Sequence, residues 1–203
     1  MENDVNNIKH KHLFTGMNLF SEGGMALDQK GKYVELLISG YSHDGKGVGR
    51  IEGKPVFVSG TLKDELVRVQ LDKERKGITI GRLVEIIKPS SERVTPACPV
   101  FGTCGGCQLQ HLNYQAQLLM KQQIVYDVLK RIGGLKNIEV QPVLGMAEPW
   151  GYRNKGHFRV ENRDGGIKIG FFEEESHKQT DECCKYLFSR KVVDSLDRLP
   201  GML

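Results

Sequence analysis

All five cysteines of this 203-residue chain fall in two places. Cys98, Cys104 and Cys107 sit on one short stretch, Cys98-Pro-Val-Phe-Gly-Thr-Cys-Gly-Gly-Cys-Gln-Leu-Gln-His111, and the adjacent pair Cys183 and Cys184 lies far along the chain. Three thiols on a glycine-punctuated loop with a remote fourth form a donor set for a soft metal centre, and a chain that must close such a cage is constrained in how it folds. Gly105-Gly106 lets the backbone wrap tightly between Cys104 and Cys107, so that amide N–H groups can face the sulfurs and offset thiolate charge. The odd count argues against a pure disulfide framework.

Two metals suit four thiolates, a structural zinc ion or an iron–sulfur cluster. Zinc sites usually pair two C-x2-C knuckles. Here the first half is C-x5-C-x2-C, which fits a [4Fe–4S] site better, with three local ligands and one distant. Unligated buried cysteines would leave the clustering without a cause. Adjacent side chains in an extended segment point to opposite faces, so either Cys183 or Cys184, but not both, completes the set. His111 and His177 flank the two groups as lesser candidates.

The rest of the chain divides into three parts. Residues 1–30 are polar and scattered and read as a poorly ordered leader. Residues 31–90 carry short β-patterned runs: Val34, Leu36 and Ile38; Val56 and Val58; Val67, Val69 and Leu71; and Ile78 to Ile86. Turn signals separate these runs, which predicts a small OB-like β-barrel. Residues 91–203 open on a proline-rich connector and the cysteine loop. Next comes a helix capped by Asn113 and stopped at Gly133-Gly134, with Leu118, Val125, Leu129 and Ile132 as its periodic apolar residues. A strand over Val140–Leu144, a hairpin of Tyr152–Val160 with Ile167–Phe172, and a last helix over Leu187–Leu196 complete the expected elements. The predicted class is thus mainly β with a smaller α+β unit. Gly45-Lys-Gly47-Val-Gly49-Arg50 hints at a nucleotide loop but has no helix behind it, and reads as a glycine-rich turn.

Two basic groups suggest an RNA partner. In Gly151-Tyr-Arg-Asn-Lys-Gly-His-Phe-Arg-Val160 a period of two puts Arg153, Lys155, His157 and Arg159 on one strand face, with Phe158 and Val160 opposite. On the barrel, Lys46, Arg50, Lys54, Lys73, Arg75 and Lys76 lie in or beside turns, where OB-like barrels present single-stranded RNA. The plain alternative for both groups is a solvated face. The net charge of +4 permits such a partner without requiring it. No apolar run is long enough to span a bilayer and no signal-peptide core is present, so no membrane association, a cytoplasmic location and a monomer are expected.

The cysteine stretch, the helix after it, and Trp150-Gly-Tyr-Arg-Asn-Lys155 resemble the SAM-dependent RNA uracil-5-methyltransferases. The iron–sulfur members acting on 23S ribosomal RNA are the nearest in pattern. Gly40-Tyr-Ser-His-Asp-Gly-Lys-Gly-Val-Gly-Arg50 is similar to their TRAM domain. The resemblance implies a [4Fe–4S] cluster on Cys98, Cys104, Cys107 and Cys184, with Cys183 as the alternative fourth ligand. It also implies a structural rather than redox role for that cluster, and RNA gripping by this part of the protein. No strand–glycine–helix SAM motif and no cysteine past Cys184 is found, so the expectation is an RNA-binding N-terminal portion. On that expectation the Rossmann-like methyltransferase domain is absent, SAM is not bound by this chain, no catalytic residue is present and no methyl transfer occurs. The rival readings are a stand-alone RNA-binding adaptor with a structural zinc or iron–sulfur site, and an electron-transfer module.

Overall fold

The computed structural model describes residues 33–72, 78–163, 165–174, 176–180 and 184–199. The expected leader at 1–30, the basic residues Lys73, Arg75 and Lys76, and Cys183 lie outside the described residues. Six strands come first: β1 (Tyr33–Leu37), β2 (Gly40–Tyr41), β3 (Gly47–Ile51), β4 (Lys54–Val58), β5 (Leu66–Leu71) and β6 (Thr79–Lys88). They form one sheet in the order β1-β5-β6-β4-β3-β2, antiparallel except for the β4–β6 pair. β1 and β2 stand at opposite ends of that order, yet only Ile38 and Ser39 separate them in the chain. The two edges must therefore meet, and Ser39 N–H donates to the Val48 carbonyl (2.9 Å) across the closure. Closure leaves fewer open strand edges.

The alternation in β1, β4 and β5 decides what fills the interior. Val34, Leu36, Ile38, Val56, Val58, Val67 and Val69 are all 2% exposed or less, each worth about 1.5–3 kcal/mol on burial. Such a narrow interior has no room for a side chain at two inward positions of β3, although Ile51 at its end packs against the core. A Cβ on Gly49 would lie 2.5 Å from Leu36 Cγ, and one on Gly47 would lie 2.1 Å from Thr61 Oγ1. This corrects the reading of residues 45–50 as a glycine-rich turn. Only Gly45, with φ +86°, is in the turn; Gly47 and Gly49 are the inward positions of a strand.

Helix α1 (Tyr114–Arg131) starts where Asn113 Oδ1 accepts from Ala116 N–H (2.8 Å) and stops where Gly134 adopts φ +65°. Its inward face differs from the one expected. Met120 is buried, with Ala116 and Ile124 packed beside it, whereas Val125 is 47% and Ile132 83% exposed. The face is chosen by what the helix meets. Tyr41 and Leu62 of the barrel, with Leu109 and Leu112 of the loop, pack on Met120 and so join the barrel to the second unit. No strand forms over 140–144. The hairpin is β7 (Arg159–Arg163) with β8 (Gly166–Gly170), and the last helix, α2, spans Arg190–Arg198. Leu187 and Phe188 precede α2 as buried extended chain, 8% and 2% exposed.

A buried ion pair clamps the barrel to the connector. Glu65 is wholly buried, and its carboxylate accepts from Arg93 Nε (2.6 Å) and Nη2 (2.9 Å), Leu62 N–H (2.8 Å) and Ser90 N–H (3.2 Å). Burial alone would raise its pKa. The Arg93 pairing and the two backbone donors outweigh that and hold it below the ordinary carboxylate value.

Candidate functional site

Backbone hydrogen bonds assemble the thiol group. Within the loop, Cys104 N–H donates to the Val100 carbonyl (2.9 Å) and Phe101 N–H to that of Cys98 (3.2 Å), coiling the C-x5-C segment. Gly105 N–H then donates to the Phe172 carbonyl and Glu174 N–H to that of Thr103, both at 2.9 Å, so the loop is stitched to the chain leaving β8. That chain doubles back, with Glu173 N–H donating to Lys178 O and Thr180 N–H to Phe171 O, each at 2.8 Å, and the return leg leads on toward Cys184. The result is that Cys98, Cys104, Cys107 and Cys184 line one small cavity together with Gly106, Gln110 and Phe171. None of these four is in a disulfide.

The cavity walls fit a thiolate-bound centre. Gly106 N–H points at Cys104 Sγ (3.4 Å), and a Cβ at Gly106 would itself sit 3.4 Å from that sulfur. Gln110 spans two cysteines: its Nε2 donates to Cys107 Sγ (3.2 Å) while its Oε1 accepts from Cys98 N–H (3.1 Å). Burial pushes the Cys107 thiol up, the Gln110 hydrogen bond opposes this, and the neighbouring Cys184, Cys104 and Cys98 add to the rise. Four thiolates so placed repel one another unless a cation lies between them. Yet among the described residues no three Cys, His, Asp or Glu side chains converge closely enough for one ion. Tetrahedral zinc would need the sulfurs about 3.8 Å apart.

Neither flanking histidine lines the cavity. His111 is 2% exposed and tilted against Phe101 (5.2 Å between centroids). Burial, with the nearby Arg93 guanidinium, pushes its pKa down to about 4, so it is neutral. His177 is exposed, edge-on to Phe172.

The basic residues do not form the single strand face that a period of two suggests. Only Arg159 lies in β7; residues 154–158 are irregular, and Val160 is 48% exposed rather than inward. The backbone departs from a strand because Gly156 lies against the Phe158 and Phe188 rings, where a Cβ would meet them at 2.6 and 2.7 Å. Lys155 and His157 are exposed, and Arg159 pairs with Glu161 (3.3 Å) over the Phe172 ring. Arg153 goes elsewhere, into a cleft beside Trp150 and Tyr152. On the barrel, Lys46 lies 3.7 Å from Asp44, and Arg50 Nη1 donates to the Gly53 carbonyl (2.8 Å) within its own hairpin. Sequence reasoning missed Gln110 and the cleft. Gln110 carries no composition signal, and the cleft draws on segments that are local to nothing but each other in space.

A TRAM domain model matches residues 28–84. In sequence the chain is similar to RNA methyltransferases. It is 45% identical over 156 residues to an uncharacterized RNA methyltransferase of Halalkalibacterium halodurans, which covers 76% of this chain and 34% of that protein. A Bacillus cereus uncharacterized RNA methyltransferase is 41% identical over 149 residues, 73% of this chain and 32% of that protein. The chain thus spans about a third of the length of the curated relatives it matches. Among solved structures it resembles Pyrococcus abyssi tRNA (uracil-54, C5)-methyltransferase in complex with S-adenosyl-L-homocysteine. The TM-score is 0.57 at 26% identity, over 82% of this chain and 36% of that one.

That likeness corrects the expected fold class. The chain was read as a mainly β, α+β assembly from which the methyltransferase domain is absent, yet 82% of it follows the path of a methyltransferase. The matched path is 36% of that methyltransferase, and it takes in most of both units. A strand–glycine–helix motif is a local signal, whereas a fold is shared through its backbone path. Among the described residues no helix is long and apolar enough to cross a membrane.

Proposed function

We propose that this chain is the RNA-gripping, cluster-bearing part of an enzyme that transfers a methyl group from SAM to C5 of uridine in RNA. Ribosomal RNA of the 23S type is the substrate class. The observation that carries the reading is the meeting of four cysteines at one cavity in a chain that has a TRAM domain and RNA methyltransferase relatives. Uracil C5 chemistry and SAM are supported by the P. abyssi likeness, a uracil methyltransferase solved with S-adenosyl-L-homocysteine. Because the chain spans a third of its relatives' length, the reaction is proposed for the whole protein.

Cys98, Cys104, Cys107 and Cys184 would hold a [4Fe–4S] cluster, which when bound supplies a cross-link and cancels thiolate repulsion. The chain's own groups do the rest. Gln110 and the Gly106 amide orient two sulfurs, and Phe171 screens the cavity from water. Lys46, Arg50, Arg153, Lys155 and Arg159 supply the cations for the RNA backbone, with His157 as a neighbouring hydrogen-bonding ring. The test is deletion of the gene followed by mass spectrometry of 5-methyluridine. Loss of one 5-methyluridine from 23S rRNA with tRNA unchanged is expected, and loss from tRNA alone would overturn the ribosomal assignment.

A further inference from the structure

A cleft much larger than the thiol cavity lies beside it. It has a volume of about 630 Å³, within the range of clefts that enclose small ligands. Its floor is the first turns of α1 with Tyr114, Gln117 and Lys121, and one wall is the segment Trp150–Arg153. Trp150 and Tyr152 are 43% and 45% exposed. Two large aromatic side chains left this open on one short segment are a cost unless something stacks on them.

The segment is held rigidly. Gly151 N–H donates to the Tyr186 carbonyl (2.9 Å) and Arg153 N–H to that of Leu187 (2.8 Å), while Trp150 packs edge-on against the Tyr186 ring. Gly151 has φ +63°, a conformation that sets the direction of the chain between the two aromatics. Across the cleft, Met146 N–H fixes the Tyr114 hydroxyl (2.7 Å). The charge is one-sided: Lys121 and Arg153 line the cleft, and no lining residue is acidic.

Aromatic faces with two cations and amide side chains are the chemistry that receives an unstacked base and its phosphate. We propose that this cleft binds one nucleotide of single-stranded RNA, its base stacked on Trp150 or Tyr152 and its phosphate held by Lys121 and Arg153. The proposal rests on the reading of the chain as RNA-binding and adds the place where the strand is gripped. The cleft shares Gly106, Cys107 and Gln110 with the thiol cavity, so the cysteine loop forms one of its walls.

Trp150 is the only tryptophan of the chain and reports on the cleft alone. A fluorescein-labelled oligouridylate is titrated into the protein, reading anisotropy for binding and Trp150 emission for location. Emission of a solvent-exposed indole, quenched in step with the anisotropy rise, is expected. Tyr152→Ala weakens binding about tenfold, and Lys121→Gln also weakens it. Tyr152→Phe, which keeps the ring, restores binding lost in Tyr152→Ala, and equal loss in the two variants would overturn the stacking. RNA binding with unchanged Trp150 emission would overturn the cleft and leave the RNA reading standing. No anisotropy change at all would overturn both. An emission maximum typical of a buried indole before RNA is added would mean that protein covers the cleft, and this too would overturn the proposal.

Discussion

Replacing Arg93 by alanine tests whether the Glu65 clamp holds the barrel to the cysteine unit. The carboxylate of Glu65 is fully buried and the Arg93 side chain is 22% exposed, so the variant strands a charge with only the Leu62 and Ser90 N–H donors left. Breaking a buried pair from one side costs about 3–5 kcal/mol. Arg93 reaches water, and its loss also frees the Gly60 carbonyl it binds (2.8 Å) to be hydrated, which puts the cost near the lower end. With a urea slope of about 2 kcal/mol per molar, a loss of about 3 kcal/mol lowers the unfolding midpoint by about 1.5 M.

The pH dependence separates this account from a simple packing loss. In the parent protein Glu65 has a lowered pKa, so its contribution is fully present above the ordinary carboxylate pKa and is lost as pH falls below it, through the lowered folded-state pKa. In Arg93→Ala the burial that raises the pKa is no longer opposed by a cation, and the sign reverses. The stranded carboxylate then costs most at pH 8 and less near pH 5, where it takes up a proton. Urea midpoints at the two pH values, for parent and variant, give the comparison. An equal drop at both, or a drop worth less than about 0.5 kcal/mol, would refute the buried-charge reasoning.

Two further outcomes follow from other sites. Protein purified without oxygen should be brown, with iron and sulfide in equal amounts, and Cys104→Ser should lose the visible absorption; colourless protein carrying zinc would contradict the cluster. Gly49→Ala should destabilise the barrel by at least about 1–3 kcal/mol, because the new Cβ meets the Leu37 carbonyl oxygen at 2.7 Å as well as the Leu36 side chain. Gly40→Ala, with nothing within 4 Å, should melt like the parent, and equal melting of the two variants would contradict the packing argument.

What was legible in the sequence was local. Val34, Leu36 and Ile38 announce a strand by alternation, Asn113 announces a helix start, and three close cysteines announce a ligand set, each through a rule that needs only near neighbours. What escaped was settled between distant segments. Met120 rather than Val125 faces inward because Tyr41 and Leu62 arrive from the barrel, and no period within α1 records their arrival. Gly47 and Gly49 look like a loop until Leu36 and Thr61 occupy the space their side chains would need. Arg153 leaves the row of cations because the backbone of Tyr186–Leu187 captures its segment. The same distance dependence ties the two candidate sites together. Gly105 and Thr103 pair with Phe172 and Glu174, and this pairing draws the Cys184 segment to the cysteine loop. One face of that loop then holds thiols, and the other walls the cleft of Trp150 and Tyr152. A centre bound at the thiols would stiffen the loop and so also set the shape of the cleft.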